Sequence, residues 1–278
     1  MRVPRVYVPG RQPPRGILDL PPEESLHVAR VLRRSAGDRV MLVAEGGGLH
    51  EAEIVRVDAE RREPVVTVRV TGEAPAAPAI LGSWTLAVAV VKADAFELSI
   101  RMACELGVGR LAPLITARTV VRPGTAGGKV ARWARVAREA SKQCGRGSPL
   151  EIPEPRGISE FLATWRKEVP PAARGAEEVR WGWVLEPGAP FSPELAAWAC
   201  QEGIPPAVFL VGPEGGLTPE ESRQARTAGL QPLGFPTPVL RTPTAVALVA
   251  AVGVALQLPL GTMPGGPRNV VDVGGLSG

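Results

Sequence analysis

Two histidines, His27 and His50, are all that the 278 residues contain. A Ser–His–Asp triad or a multi-histidine metal site is therefore close to ruled out, and no metal is expected. Cysteine is nearly as scarce. Cys104, Cys144 and Cys200 are widely spaced and form no CxxC, which fits a reduced, cytoplasmic compartment with buried structural thiols. The first residues, MRVPRVYVPG, hold no apolar core, so no signal peptide is expected. The most apolar stretch, Ala245 to Leu256, is about 12 residues long, too short to span a bilayer, and no membrane partner is expected. Two phosphate-binding patterns are missing as well. There is no GxGxxG after a strand and no GxxxxGK[ST], so neither a dinucleotide nor a triphosphate site is supported.

What is present describes an ordinary globular chain with room for two domains: 45% hydrophobic and 22% charged residues, with 32 glycines and 30 prolines. The net charge is only +4, but it is unevenly spread. Between Arg110 and Arg146 nine Lys or Arg face one acid, Glu139, a local +8 that leaves −4 for the rest. Such an excess is an electrostatic footprint for a polyanion.

The most informative stretch is VFLVGPEGGLTPEE, Val208 to Glu221. Val208 to Val211 reads as a strand buried on both faces. Gly212, Gly215 and Gly216 make a turn in which main chain can come close to a neighbour. Thr218 is the expected N-cap, Pro219 the first helical residue and Glu221 the partner in a capping box, with Gly229 as the stop. Strand, glycine turn and helix together are a common ligand site in α/β proteins. A plain tight turn with no ligand is an equally open reading of the same residues.

In chain order, residues 1–72 read as a small β domain. Strands are expected from Val3, over 39–43, over 49–57 and over 64–70, with a short helix from Pro22 whose apolar face holds Val28, Val31 and Leu32. Gly46 to Gly48 read as a hairpin turn. Residues 73–80 read as a linker, and 81 onward as alternating strands and helices, which points to a parallel α/β sheet. Asp94 is the expected cap of a helix ending at Gly107. In the helix from Lys129 to Cys144, at ~100° per residue, Arg132, Arg135, Arg138 and Lys142 share one face while Trp133, Val136, Ala137 and Ala140 share the other. That basic face is either a phosphate contact or a solvated surface. Residues 170–175 read as a surface loop, Pro193 to Cys200 as a short helix, Leu230 to Leu233 as a strand. Thr242 is the expected N-cap of the last helix, and 261–278 reads as a disordered tail.

The wording of these segments resembles a known family. LVGPEGGLTPEE is similar to the signature of the SPOUT methyltransferases, and within them to the family that methylates N3 of one uridine in 16S ribosomal RNA. The phrase HVARVLRRSAGDRVMLVAEGGGLHEAEI resembles that family's front domain, KADAFELSIRMACELGVGRLAPL its central strand–helix–strand, and Gln143-Cys144-Gly145-Arg146 its loop near the substrate. The resemblance implies an N-terminal PUA-like β-barrel over 1–72 that binds RNA. It also implies a C-terminal SPOUT α/β domain over 81–260 with a parallel sheet and a deep trefoil knot. S-adenosyl-L-methionine is the implied cofactor, held by Leu185, Leu210, Val211, Gly212, Pro213, Glu214, Gly215 and Gly216 on one side and by Leu233, Gly234, Val239, Leu240, Arg241, Thr244 and Ala245 on the other. Arg146, Arg241 and Glu214 are the implied catalytic candidates. His27, Arg30, Arg33 and Arg34, together with Arg132, Arg135, Arg138 and Lys142, are candidates for RNA contact. The implied partners are 16S rRNA or the small ribosomal subunit, and a second copy through the helix 244–257.

The chain departs from the family pattern at three positions. Met102 stands where members tend to carry lysine, and in LGFPTPVLRTPTA the residues Pro238 and Pro243 replace an arginine and a glutamate in a loop about two residues longer. Two other readings stay open: a non-catalytic RNA-binding or ribosome-assembly protein that keeps the fold, and the same chemistry on another RNA site.

Overall fold

The computed structural model describes residues 3–10, 15–45, 48–75, 81–119, 127–168, 172–174, 177–192, 195 and 205–256. The glycine pair at 46–47, most of the linker, most of the helix expected at 193–200, and the tail lie outside the described residues.

The front of the chain forms a five-stranded sheet of β1 (Arg5–Val8), β2 (Ile17–Asp19), β3 (Arg39–Ala44), β4 (Leu49–Asp58) and β5 (Val65–Ala74), in the order β1-β3-β4-β5-β2. β1 runs parallel to β3, and the other pairs are antiparallel. The outer strands β1 and β2 do not pair with each other among the described residues, so the sheet is open. Alternate residues, among them Val40, Leu42, Ile54, Val66 and Val68, point into one core and are fully buried. β5 outlasts the expected boundary: Glu73 and Ala74 still pair with His50 and Leu49.

Helix α1 (Pro22–Leu26) passes directly into a π-helical turn over His27–Val31, marked by the Leu32 N–H bond to the carbonyl of His27 at 2.9 Å. The wider turn rotates the residues after His27 away from ordinary helical phase. Val28 is buried as expected, but Val31 is 66% exposed, so the apolar face expected at Val31 is corrected.

The second unit is an all-parallel sheet of β6 (Leu81–Ala89), β7 (Val108–Ile115), β8 (Arg156–Gly157), β11 (Trp181–Leu185), β12 (Ala207–Val211) and β13 (Gln231–Leu233), ordered β13-β11-β12-β6-β7-β8. Two short strands, β9 (Ala172–Arg174) and β10 (Glu177–Val179), pair as a hairpin where a loop is expected. The central strands are buried on both faces, as their unbroken apolar runs require. Phe209 and Val211 join Trp84, Leu86 and Val88 in the core on one face, while Val208 and Leu210 join Ala87 and Val184 on the other.

The first core is covered by α2 (Ala93–Glu105), α3 (Gly127–Cys144) and α6 (Thr242–Leu256). The second is covered by α4 (Ile158–Glu168) and α5 (Pro219–Thr227). α4 is absent from the sequence-based expectation, although Ile158, Phe161, Leu162 and Trp165 are buried at helical spacing. Asp94 is not the cap of α2. Lys92 is, and Asp94 sits in the first turn, where a carboxylate suits the positive helix end. In α6, Gly253 is required inside the fold: a Cβ there would stand 2.2 Å from the ring of Trp84.

The two units meet along α3. Lys142 pairs with Glu24 of α1, the Arg138 guanidinium lies 5.3 Å from the ring centre of Tyr7, and Arg5 donates to the carbonyl of Lys142 at 3.0 Å. Burial, then the nearby Glu45 carboxylate, pushes the Tyr7 phenol up to about 12.

At the β8 edge Glu168 accepts from Arg156 at 2.5 and 2.6 Å, from Arg110 at 2.9 Å and from Thr164 at 2.8 Å. These bonds, those of Arg156 first, hold its carboxyl down at about 2. A carboxylate depressed on folding stabilises fully above its ordinary value of 4.5, and that contribution is lost as the pH falls through about 2. Glu168→Gln should therefore lower stability at neutral pH and make the fall in stability below pH 4.5 shallower, as read by urea unfolding across that range.

Candidate functional site

β13, β11 and β12 lie side by side and end on one edge of the sheet, at Leu233, Leu185 and Val211. The turns that leave them enclose a cleft of about 590 Å³. That volume falls within the roughly 300–1,000 Å³ of small-molecule sites, and the carboxyl ends of parallel strands are where open α/β sheets bind ligands.

The first turn follows β12. Gly216 has φ +70 and donates to the carbonyl of Pro213 at 2.8 Å, which bends the chain back before α5. Thr218 caps α5 in a complete capping box with Glu221, as expected. The second turn follows β13. Gly234 donates to the carbonyl of Pro190 at 3.0 Å, and a Cβ on it would lie 1.8 Å from the carbonyl oxygen of Ala189, so no other residue fits. Thr242 joins the turns: its hydroxyl donates to the carbonyl of Gly212 at 3.1 Å. Thr242 is thus the first residue of α6 and not its N-cap. The cap position falls to Arg241, whose carbonyl accepts from Ala245 at 3.0 Å.

Glu221 is 6% exposed and reaches further than its own helix. One oxygen accepts from Thr218 through N–H at 2.9 Å and hydroxyl at 3.1 Å. The other accepts from the Ala117 N–H at 2.7 Å. This pulls the turn after β7 (Val108–Ile115) against the glycine turn, where Arg118 donates to the carbonyls of Gly215 and, at 3.4 Å, of Leu217. On the far wall Glu186 takes Arg226 through both oxygens, at 3.0 and 2.8 Å.

Most of the expected cofactor residues line the cleft: Leu185, Val211, Gly212, Pro213, Glu214, Gly215, Gly216, Leu233, Gly234, Val239, Leu240 and Ala245. Three do not line it. Leu210 alternates to the other face of the sheet and is fully buried there. Thr244 is exposed on the outer side of α6, and Arg241 is exposed beside Leu240 without lining the cleft. The expectation misses Arg118, Glu186, Arg226, Phe235 and Thr242 among the lining residues. Arg118 comes from 97 positions away from Gly215, so no local pattern announces it.

Arg146, expected near the substrate, lies inside the protein. It is 3% exposed and does not line the cleft. Its Nη1 donates to the carbonyls of Cys104 at 3.3 Å and Val108 at 2.7 Å, so the cation closes the carboxyl end of α2. Beside it the Cys144 thiol is lowered to about 6, first by the hydrogen bond with the Cys104 thiol and then with help from Arg146.

The basic face of α3 is largely committed within the protein. Lys142 is bound to Glu24 and Glu139 and is 14% exposed. Arg138 lies over Tyr7, and Arg132 pairs with Glu97 at 2.6 Å. Arg135 is exposed. In the front unit His27 and Arg33 are exposed, Arg30 donates to the carbonyls of Arg61 and Arg62 at 3.1 and 3.3 Å, and Arg34 stands 4.0 Å from Asp38.

Glu221→Ala would remove the returning half of the capping box of α5 and leave the Ala117 N–H without its carboxylate acceptor. The expected cost is about 1–2 kcal/mol by urea unfolding, the range of a lost cap.

Comparison with known proteins agrees with this geometry. A family model described as an RNA methyltransferase domain matches residues 81–254. A ribosomal RNA small subunit methyltransferase E of Synechocystis sp. is 30% identical over 226 residues, 81% of this chain and 68% of its own length. A Legionella pneumophila structure described as a methyltransferase with bound cofactor SAM superposes with a TM-score of 0.76 at 29% identity, covering 92% of this chain and 98% of that one. The ribosomal RNA small subunit methyltransferase E of Neisseria gonorrhoeae, bound to S-adenosyl methionine, gives 0.72 at 25% identity, with coverages of 92% and 98%. A match over more than half of the chain, on the segment that builds the cleft, means that the chain belongs to the RNA methyltransferase family, in the line of ribosomal RNA small subunit methyltransferase E.

Proposed function

We propose that the chain binds S-adenosylmethionine in the cleft and methylates N3 of a uridine in 16S ribosomal RNA. The observation that carries this reading is the Thr242 bond to Gly212, which holds the two turns together around an open cleft. The residues present fit the cofactor. Leu185, Val211, Leu233 and Leu240 offer apolar walls, and the glycine turn from Gly212 to Gly216 lines the cleft beside them. The two prolines that depart from the family pattern fit too. Pro238 lines the wall without closing it, and Pro243 lies in the first turn of α6, where a missing N–H costs no helical bond.

When bound, the sulfonium supplies an already activated methyl group. The chain therefore has only to orient the uracil, exclude water and take the N3 proton. Glu214, exposed on the rim, is the candidate acceptor for that proton. Arg241, exposed next to the wall residue Leu240, is the candidate for charge on the uracil oxygens. The uridine leaves its stack to enter.

The same reading takes the front sheet as a PUA-like RNA-binding unit, the passage from β13 to α6 as part of a trefoil knot, and the cytoplasm as the location. It takes α6 as the contact with a second copy. Thr244, Ala251 and Ala255, with half-buried Leu248, form an outward small-residue face at helical spacing, which suits close helix packing. Among the described residues no helix is long and apolar enough to cross a membrane.

Mapping of N3-methyluridine in 16S rRNA from a strain lacking the chain tests the reading. One uridine should lose its methyl group, and an unchanged map overturns it. RNA binding has its own check. Arg33→Glu combined with Arg135→Glu should weaken RNA binding and make its salt dependence shallower, by about 0.7 in log–log slope for each phosphate that the chain no longer neutralises. An unchanged slope would assign both cations to the solvated surface.

A further inference from the structure

Among the described residues the cleft holds four charged side chains: Arg118, Glu186, Glu214 and Arg226. Glu186 and Arg226 neutralise each other through their two-pronged pair. Arg118 is different. Its partners are carbonyl oxygens, reached through Nη1, and no carboxylate lies within ion-pair distance of it among the described residues. A guanidinium presents five donors in a flat fork, so most of this one remains available to an anion.

Its base is firmly placed. Residues 116–119 close on themselves through Thr119 N–H to the Thr116 carbonyl at 3.1 Å and Thr116 N–H to the Thr119 hydroxyl at 2.9 Å. The buried Glu221 holds the intervening Ala117 N–H. The guanidinium is thus anchored at both ends, at its own turn and at Gly215 on the cleft rim.

We infer that Arg118 receives the carboxylate at the amino-acid end of S-adenosylmethionine. The inference rests on the reading that the cleft binds this compound. The adenosine end is uncharged and suits the apolar walls. The amino-acid end carries a carboxylate that loses water on entering and needs charge-assisted donors in exchange. Glu186 and Glu214 have the wrong sign, and Arg226 already holds a carboxylate. Among the described residues Arg118 is the cleft cation whose charge no carboxylate offsets.

Equilibrium binding of two nucleosides tests it. S-adenosylhomocysteine has the amino-acid end, and 5′-methylthioadenosine lacks it. Arg118→Gln should weaken binding of S-adenosylhomocysteine roughly tenfold to a hundredfold, the worth of a charged hydrogen bond. It should leave 5′-methylthioadenosine within about twofold, and that second measurement also reports that the cleft is intact. Arg118→Lys should restore part of the loss, because it returns the charge without the fork. An equal loss for both nucleosides overturns the inference and makes Arg118 a wall of the cleft. No loss for either overturns it too and leaves the cation for RNA phosphate. If the wild-type chain binds neither nucleoside, the methyl-donor reading itself falls, and this inference with it.

Discussion

The carboxylate of Glu221 is buried at the start of α5 and accepts from three donors on two distant segments of chain. A buried carboxylate is tolerated only where its oxygens are matched by hydrogen bonds, so these segments must meet if the residue is to be buried at all. Its bonds set the entry angle of α5, the shape of the glycine turn before it and the position of the turn that carries Arg118. Thr242 does the corresponding work on the other side, where its hydroxyl reaches the first residue of the glycine turn. Two side chains thereby bring three loops into one cleft.

The sheet explains why the loops are close enough to be tied. β11, β12 and β13 are adjacent and parallel, so their carboxyl ends share an edge. Their residues are buried on both faces because helices cover both, and the alternation along β12 divides its side chains between two separate cores. Leu210 belongs to the core away from the cleft for this reason alone. The apolar helix α6 follows the same logic. Its smallness at Gly253 serves Trp84 inside the fold, while Ala251 and Ala255 remain outside.

Charge is where a count along the chain says least about role. The nine cations between Arg110 and Arg146 look alike in one dimension. Folded, Arg110 balances Glu168 and Glu151, Arg132 meets Glu97, Lys142 joins the two units through Glu24, and Arg146 closes the end of α2. The acids that meet Arg110, Arg132 and Lys142 come from other elements, so a count along the chain overstates the local excess. What is left facing the cleft is Arg118, which carries no motif.

The elements themselves were legible in the chain wherever a short-range cause writes them. The strand Ala207–Val211, the glycine turn and the capping box of Thr218 with Glu221 each depend on residues within a few positions of one another. The same holds for the alternating strands of the front sheet and for the two-faced helix α3. Only the tertiary structure decided which residues share the cleft, that Arg146 is a buried helix stop, that Val31 faces solvent after a π-helical turn, and that Thr242 bonds to Gly212 instead of capping its own helix. The physical reason is one of range. Caps, turns and amphipathic spacing follow from neighbours along the chain, whereas burial, ion pairing and the walls of a cleft depend on partners that only folding brings within a few ångströms.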